Sequence, residues 1–143
     1  MKIAFGADHG GYHLKEKIVQ LVRDLGHDVA DTGCFSCDSV DYPDYAEHVV
    51  ALVDDGSCER GILVCGTGIG MAIAANRNRK IRAANCHDDY TARMSREHND
   101  ANVLCLGARV IGEGVAVDLV KIWLVTPFSG GRHQSRIARF SDF

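Results

Sequence analysis

The residues best suited to do chemistry are Cys65-Gly66-Thr67-Gly68-Ile69-Gly70, which follow the apolar run Ile62-Leu63-Val64 and precede Met71-Ala72-Ile73-Ala74-Ala75. That order reads as strand, glycine loop and helix. Glycines at alternate positions allow close backbone approach and aim successive N–H groups at a ligand, and a helix start adds partial positive charge, so the loop suits an anion. A cysteine at the end of the strand faces the same charge, which favours thiolate and supplies a base or a nucleophile. A small buried residue that only ends a strand fits the position too, since free cysteine is a common core residue. Nucleotide loops are a poor match. The Gly-Lys-Ser/Thr ending of a P-loop is missing, and glycines at 66, 68 and 70 lack dinucleotide spacing.

The elements that must position this loop follow from periodicity. Strand-like runs at about 2–7, 28–32, 61–65, 81–86 and 102–106 alternate with helix-like segments at about 10–25, 43–55, 69–79, 88–98 and 112–125, and a short helix is expected near 131–139. The pattern predicts an α/β fold with a five-stranded parallel sheet covered by helices on both faces. Leu14, Ile18, Leu21, Val22 and Leu25 form the core stripe of the first helix, which Gly26 stops. The second helix repeats this with Tyr45, Ala46, Val49, Val50 and Val53, opened by Pro43. One domain, residues 1–143, accounts for the chain.

Parallel sheets of this kind bind ligands beyond the carboxyl ends of their strands. Those positions hold Asp8-His9-Gly10-Gly11, then Cys65 and its loop, then His87-Asp88-Asp89, then Gly107-Ala108-Arg109. His9 can bind an anion or hydroxyls, or stand as a solvated loop residue. Asp88 is better placed to cap the next helix than to hold a ribose. His98, in the polar run Glu97-His98-Asn99-Asp100-Ala101-Asn102, can act as acid and base or merely sit on a helix dipole. Arg132 and Arg136 are four apart, share one helical face and can converge on a phosphate, although a solvated basic face that also includes Arg139 has the same spacing. His133 points elsewhere on that helix and is set aside, and His13, His27 and His48 read as surface residues.

Composition narrows the class. With 46% hydrophobic and 24% charged residues and a net charge of −3, the chain is an ordinary globular protein with no general affinity for nucleic acid or membrane surfaces. The N-terminal apolar run is too short for a signal peptide, and no run is long enough to span a bilayer. Cys65, Cys86 and Cys105 lie in apolar runs and read as reduced thiols of a cytoplasmic protein. Cys34 and Cys37 have ligand spacing but no second pair, so no metal is expected there; a loop disulfide or two unrelated thiols remain.

Asp8-His9-Gly10-Gly11, Asp41-Tyr42-Pro43, the Cys65–Gly70 loop, Ala74-Ala75-Asn76, Ser95 through Asn102 and Gly130-Gly131-Arg132-His133 together closely resemble the RpiB/LacAB sugar-phosphate isomerase family, over nearly the whole chain. The resemblance implies a three-layer Rossmann-like fold and cofactor-free, metal-free interconversion of ribose 5-phosphate and ribulose 5-phosphate in the pentose phosphate pathway. It implies Cys65 as the base, with Gly66, Thr67, Gly68, Ile69 and Gly70 holding the enediolate oxyanion and His98 opening the sugar ring. It carries Asp8, His9, Asn99, Arg109, Arg132 and Arg136 over as sugar and phosphate contacts. It further implies a homodimer or homotetramer in which His98, Asn99 and the C-terminal arginines reach a neighbour's cysteine loop.

Three other readings stay open. Allose 6-phosphate or galactose 6-phosphate isomerisation uses the same chemistry. A phosphate-sensing module needs only the glycine loop and leaves Cys65 and His98 unexplained. Thiol redox chemistry wants a resolving cysteine, and none neighbours Cys65 in sequence.

Overall fold

The computed structural model describes residues 1–142. Five parallel strands, β1 (Lys2–Ala7), β2 (Asp28–Asp31), β3 (Arg60–Cys65), β4 (Ala83–Asn85) and β5 (Val103–Gly107), form one sheet in the order β2-β1-β3-β5-β4. Six helices accompany them: α1 (Tyr12–Asp24), α2 (Tyr42–Asp54), α3 (Ile69–Ala75), α4 (Asp89–Glu97), α5 (Glu113–Val125) and α6 (Arg132–Ile137). No helix of the described residues is long and apolar enough to cross a membrane.

The central strands are apolar on both sides, and their alternation divides the core. Ile3, Phe5, Ala7, Ile62, Val64, Leu104 and Leu106 face one cluster, which Ile18 and Val22 of α1, Ala92 of α4 and Leu119 and Trp123 of α5 complete. Ala4, Leu63, Cys65, Val103 and Cys105 face the other, against Ala46 and Val49 of α2 and Met71 and Ala75 of α3. Each fully buried Ile or Leu contributes about 1.5–3 kcal/mol. In the α1 stripe Leu25 departs from expectation: it closes the helix and is exposed.

Two expected elements are shorter than their apolar runs, and in both an asparagine is the reason. The α3 helix stops at Ala75 because Asn76 pairs with β4 as a strand would, donating Nδ2 to the Ala83 carbonyl (2.9 Å) and accepting the Ala83 N–H on Oδ1 (2.8 Å). β4 starts only at Ala83 because the Asn102 amide takes up the preceding backbone, accepting from Arg82 N–H (2.8 Å) and donating to the Lys80 carbonyl (2.8 Å). Side-chain amides satisfy backbone groups that a longer ladder would have used.

Candidate active site

The chain runs outward from β1 to β2 and then back across to β3, which opens a crevice at the carboxyl ends of β1 and β3. Cys65, the last residue of β3, is buried there at 5% exposure. Its Sγ accepts the Gly68 N–H at 3.1 Å, and Thr67 Oγ1 accepts the Ile69 N–H at 3.3 Å. Two of the loop amides expected to cradle a ligand are therefore turned to the chain's own sulfur and hydroxyl. A backbone N–H aimed at the sulfur fixes its position at the crevice.

The loop conformation depends on glycine. Gly68 has φ of +78°, and a Cβ there would lie 2.2 Å from Asn85 Oδ1. Asn85, at the end of β4, donates Nδ2 to the Thr67 carbonyl at 3.3 Å, while its Oδ1 is buried without a hydrogen-bond partner. The Tyr42 ring lies so close over Gly70 that a Cβ there would be 2.7 Å from Cζ. Sequence reasoning missed Asn85 because the apolar run was ended at 86; searching from the observed strand end finds it.

Asp8, His9 and Arg109 meet the loop from neighbouring strands. Asp8 Oδ1 accepts the Gly11 N–H at 3.0 Å, so one of its oxygens serves the start of α1. His9 Nδ1 accepts the Val40 N–H at 3.2 Å, which leaves Nε2 as the protonated nitrogen of the neutral ring. The Arg109 guanidinium spans Gly66 and Gly10: a Cβ on either would lie 3.4 Å from it. Cys65, Thr67, Asp8, His9 and Arg109 thus gather at one edge of the sheet.

His98, Asn99, Arg132 and Arg136 do not join them. His98 closes α4, a helix that starts beyond β4 and returns to the amino end of β5. Asn102 N–H there bonds the Arg82 carbonyl (3.1 Å), and the Asn102 carbonyl accepts Gly61 N–H (2.9 Å), both at the starts of strands. Cys65 pairs instead with Gly107 at the far end of β5. At ~3.3 Å per residue the strand separates the two groups by roughly 13 Å or more. α6 lies at the same amino edge, with Ser129 N–H bonded to the Glu97 carbonyl (3.0 Å), and it exposes Arg132 and Arg136.

His133, set aside from helical phase, belongs to this second group. Its ring stacks on His98 at 4.2 Å with 9° between planes. Burial, then the charges of His98, Arg132 and Arg136, hold its pKa below the usual histidine value. Adjacency to the two arginines was the available signal; a tertiary contact turned it toward His98.

The remaining candidates are structural. Asp88 Oδ1 accepts the Thr91 N–H (2.7 Å) and caps α4, which lowers its pKa. All six cysteines are free. Cys34 Sγ donates to the Ser36 carbonyl, and Cys37 Sγ lies 3.3 Å from His13 Nε2. Cys105 faces the same side as Cys65, and burial pushes its thiol pKa well up. Lys15, which the sequence did not single out, is fully buried and paired with Asp31. Among the described residues no group of three or more His, Cys, Asp or Glu side chains could hold a metal.

Comparison with known proteins shows the family. The Ribose/Galactose Isomerase family model matches residues 3–140. The chain is 48% identical over 136 residues to ribose-5-phosphate isomerase B of Escherichia coli, covering 95% of this chain and 91% of that one. It is 41% identical over 147 residues to a D-erythrulose-4-phosphate isomerase of Pectobacterium atrosepticum, covering 100% and 95%. The solved structure of ribose-5-phosphate isomerase B from Clostridium thermocellum superposes with a TM-score of 0.96 at 52% identity, over 97% of this chain and 94% of that one. With the match running through the Asp8 turn, the cysteine loop, the His98 turn and α6, the chain belongs to the ribose/galactose isomerase family.

Proposed function

We propose that the protein is an aldose–ketose isomerase that interconverts ribose 5-phosphate and ribulose 5-phosphate. The observation that carries this is Cys65, its sulfur against the Gly68 N–H at the strand crevice, with Thr67, Asp8 and Arg109 around it. In this reading His98 takes the proton of the anomeric hydroxyl and returns one to the ring oxygen, opening the sugar. Cys65 as thiolate then removes the proton from C2, and the electron pair passes to O1 as an enediolate. The proton on O2 moves to O1, Cys65 returns its proton to C1, and the ketose results. Thr67 and the loop backbone stabilise the developing oxyanion, a kind of contact worth about 10²–10³ in rate. Arg109, Arg132 and Arg136 hold the phosphate, with His9, Asp8 and Asn99 on the sugar. No step calls for a metal or cofactor.

Since His98 and α6 stand at the opposite edge from their own Cys65, a complete site draws them from a second copy, so the working enzyme is a homodimer or homotetramer. Its setting is the pentose phosphate pathway of the cytoplasm. The test is turnover of ribose 5-phosphate in excess chelator, beside Cys65→Ala. Turnover that survives chelation and falls at least ~10³-fold in the variant, with sugar phosphate still bound, is expected. Equal rates in the two proteins refute the cysteine base. The similarity to a four-carbon sugar-phosphate isomerase favours a second reading, another chain length. Rates on four-, five- and six-carbon sugar phosphates, allose 6-phosphate and galactose 6-phosphate among them, decide it. Binding of sugar phosphate with no turnover on any would leave a sensing module.

A further inference from the structure

We propose that Arg82 is a positioning residue that locks the His98–Asn99 turn and the arginine-bearing C-terminal segment into one unit. The inference rests on the reading of His98, Asn99, Arg132 and Arg136 as substrate contacts, and it concerns a residue that touches none of the sugar.

Arg82 lies just before β4 with its side chain 9% exposed. Its guanidinium bridges two separate segments. Toward the turn, Nε donates to the Asp100 carbonyl (2.9 Å) and Nη2 to Asp100 Oδ2 (3.1 Å). Toward the C-terminus, Nη1 donates to Ser141 Oγ (2.8 Å), and that hydroxyl donates onward to the Arg79 carbonyl (2.9 Å).

Asp100 directly follows Asn99 and has φ of +46°, a backbone conformation that non-glycine residues keep only where surroundings impose it. The surroundings here are two arginines. Arg82 takes one carboxylate oxygen, and Arg96 Nη1 takes the other at 2.8 Å while also bonding the Ala101 carbonyl (2.7 Å). The two cations do different work. Arg96 reaches the turn and the Thr126 carbonyl beyond α5 (3.3 Å). Arg82 reaches the turn and the segment that follows α6.

The C-terminal stretch from Ser129 to Ser141, with α6 inside it, is therefore tied at both ends to this edge of the sheet. Its near end is held by Ser129 N–H on the Glu97 carbonyl, one residue before His98. Its far end is held by Ser141 on Arg82 and by Asp142 on Arg79, whose Nε donates to the Asp142 carboxylate (3.1 Å) and whose carbonyl accepts the Asp142 N–H (3.0 Å). Between these anchors α6 presents Arg132 and Arg136, and His133 stacks on His98. A cavity of about 500 Å³ runs beside the joint, lined among others by Arg82, Asn99, Arg79 and Phe140, so at this place the turn and the C-terminal segment are joined by polar contacts and not by close packing. Removing Arg82 leaves Asp100 still paired to Arg96, and the turn survives; what is lost is the guanidinium link from the turn to the far end of the segment that carries α6, which leaves the His133–His98 stack and the Ser129 bond to hold that helix. Misplacement of a contact group by about 1 Å can cost about 10²-fold in rate.

The test is steady-state kinetics on the sugar phosphate that the wild type turns over, with a thermal melt at the assay temperature, for Arg82→Gln, Arg82→Lys and Ser141→Ala. Arg82→Gln is expected to raise KM about tenfold and lower kcat about tenfold while staying folded. Lysine is a point charge that can hold Asp100 but not span to Ser141, so Arg82→Lys and Ser141→Ala should behave alike, with KM raised about threefold and kcat near wild type. A merely structural Arg82 would reduce the folded fraction, and hence kcat, with KM unchanged. That result overturns the inference, as does unchanged KM in Arg82→Lys and Ser141→Ala should Arg82→Gln fail to fold. A wild type inert on every sugar phosphate overturns the functional reading itself, and this inference with it.

Discussion

Cys65 and His98 are held in different ways, and each arrangement bears on chemistry. The cysteine is immobilised by burial and a backbone N–H, so its position is part of the loop fold. The histidine is positioned by another ring, His133, which has a lowered pKa and so stays neutral beside His98 near pH 7. A depressed histidine pKa means that the unfolded chain binds the extra proton more readily, so stability present above the ordinary value of 6.5 is lost as pH falls through it. Melts from pH 8 to 5 should therefore drop less for His133→Asn than for the wild type; parallel curves would refute the account. Ring opening has its own test. An aldotetrose 4-phosphate cannot close a five-membered ring because its O4 carries the phosphate. His98→Asn should then lose far more rate on ribose 5-phosphate than on that substrate, and equal losses would remove the ring-opening role. At this scale Cys65, Asp8, His9, His98 and Arg136 are candidates that the sequence itself offers, by residue type and place after a strand or helix, whereas Asn85 and His133 become visible only through the contacts they make.

Among the elements, the strand–loop–helix unit at β3 is the one most fully written in sequence, since glycine, cysteine and small-residue spacing leave few alternatives. Its demands are steric. Gly68→Ala puts a Cβ 2.2 Å from Asn85 Oδ1 at a positive φ, a strain of about 1–3 kcal/mol before the collision is counted. The variant should melt several degrees lower and lose at least ~10²-fold in turnover, because the displaced N–H no longer meets the sulfur. Retained turnover would show that the N–H on sulfur is not needed. Helix and strand ends were less legible. Asn76 ends α3 by bonding backbone seven residues on, and Asn102 delays β4 by bonding backbone about twenty residues back, neither of which a helix or strand propensity encodes.

At the scale of the whole molecule, the sheet separates Cys65 from His98 and α6 by the length of a strand, so under the proposed function a site that uses both draws them from two copies. Mixing makes this testable. Neither Cys65→Ala nor His98→Asn should turn over substrate alone. Allowed to exchange subunits as dimers, half of the assemblies are mixed, each with one intact site, and about a quarter of the wild-type rate should return. No recovery after verified exchange would place a complete site within one chain. The order β2-β1-β3-β5-β4, with β5 inserted beside β3, was not readable in advance, because parallel strands share one hydrophobic pattern wherever they lie in a sheet. Sequence by itself determined the alternating α/β rhythm, the anion-seeking cysteine loop and the residue types of the chemistry, because periodicity, glycine spacing and side-chain acidity are local properties. Only the tertiary structure decided which of those residues share an edge, that His133 covers His98 and that Arg82 joins the turn to the C-terminal segment. Those relations depend on where the strands and helices lie in space, and residues distant in sequence meet only once the sheet is assembled.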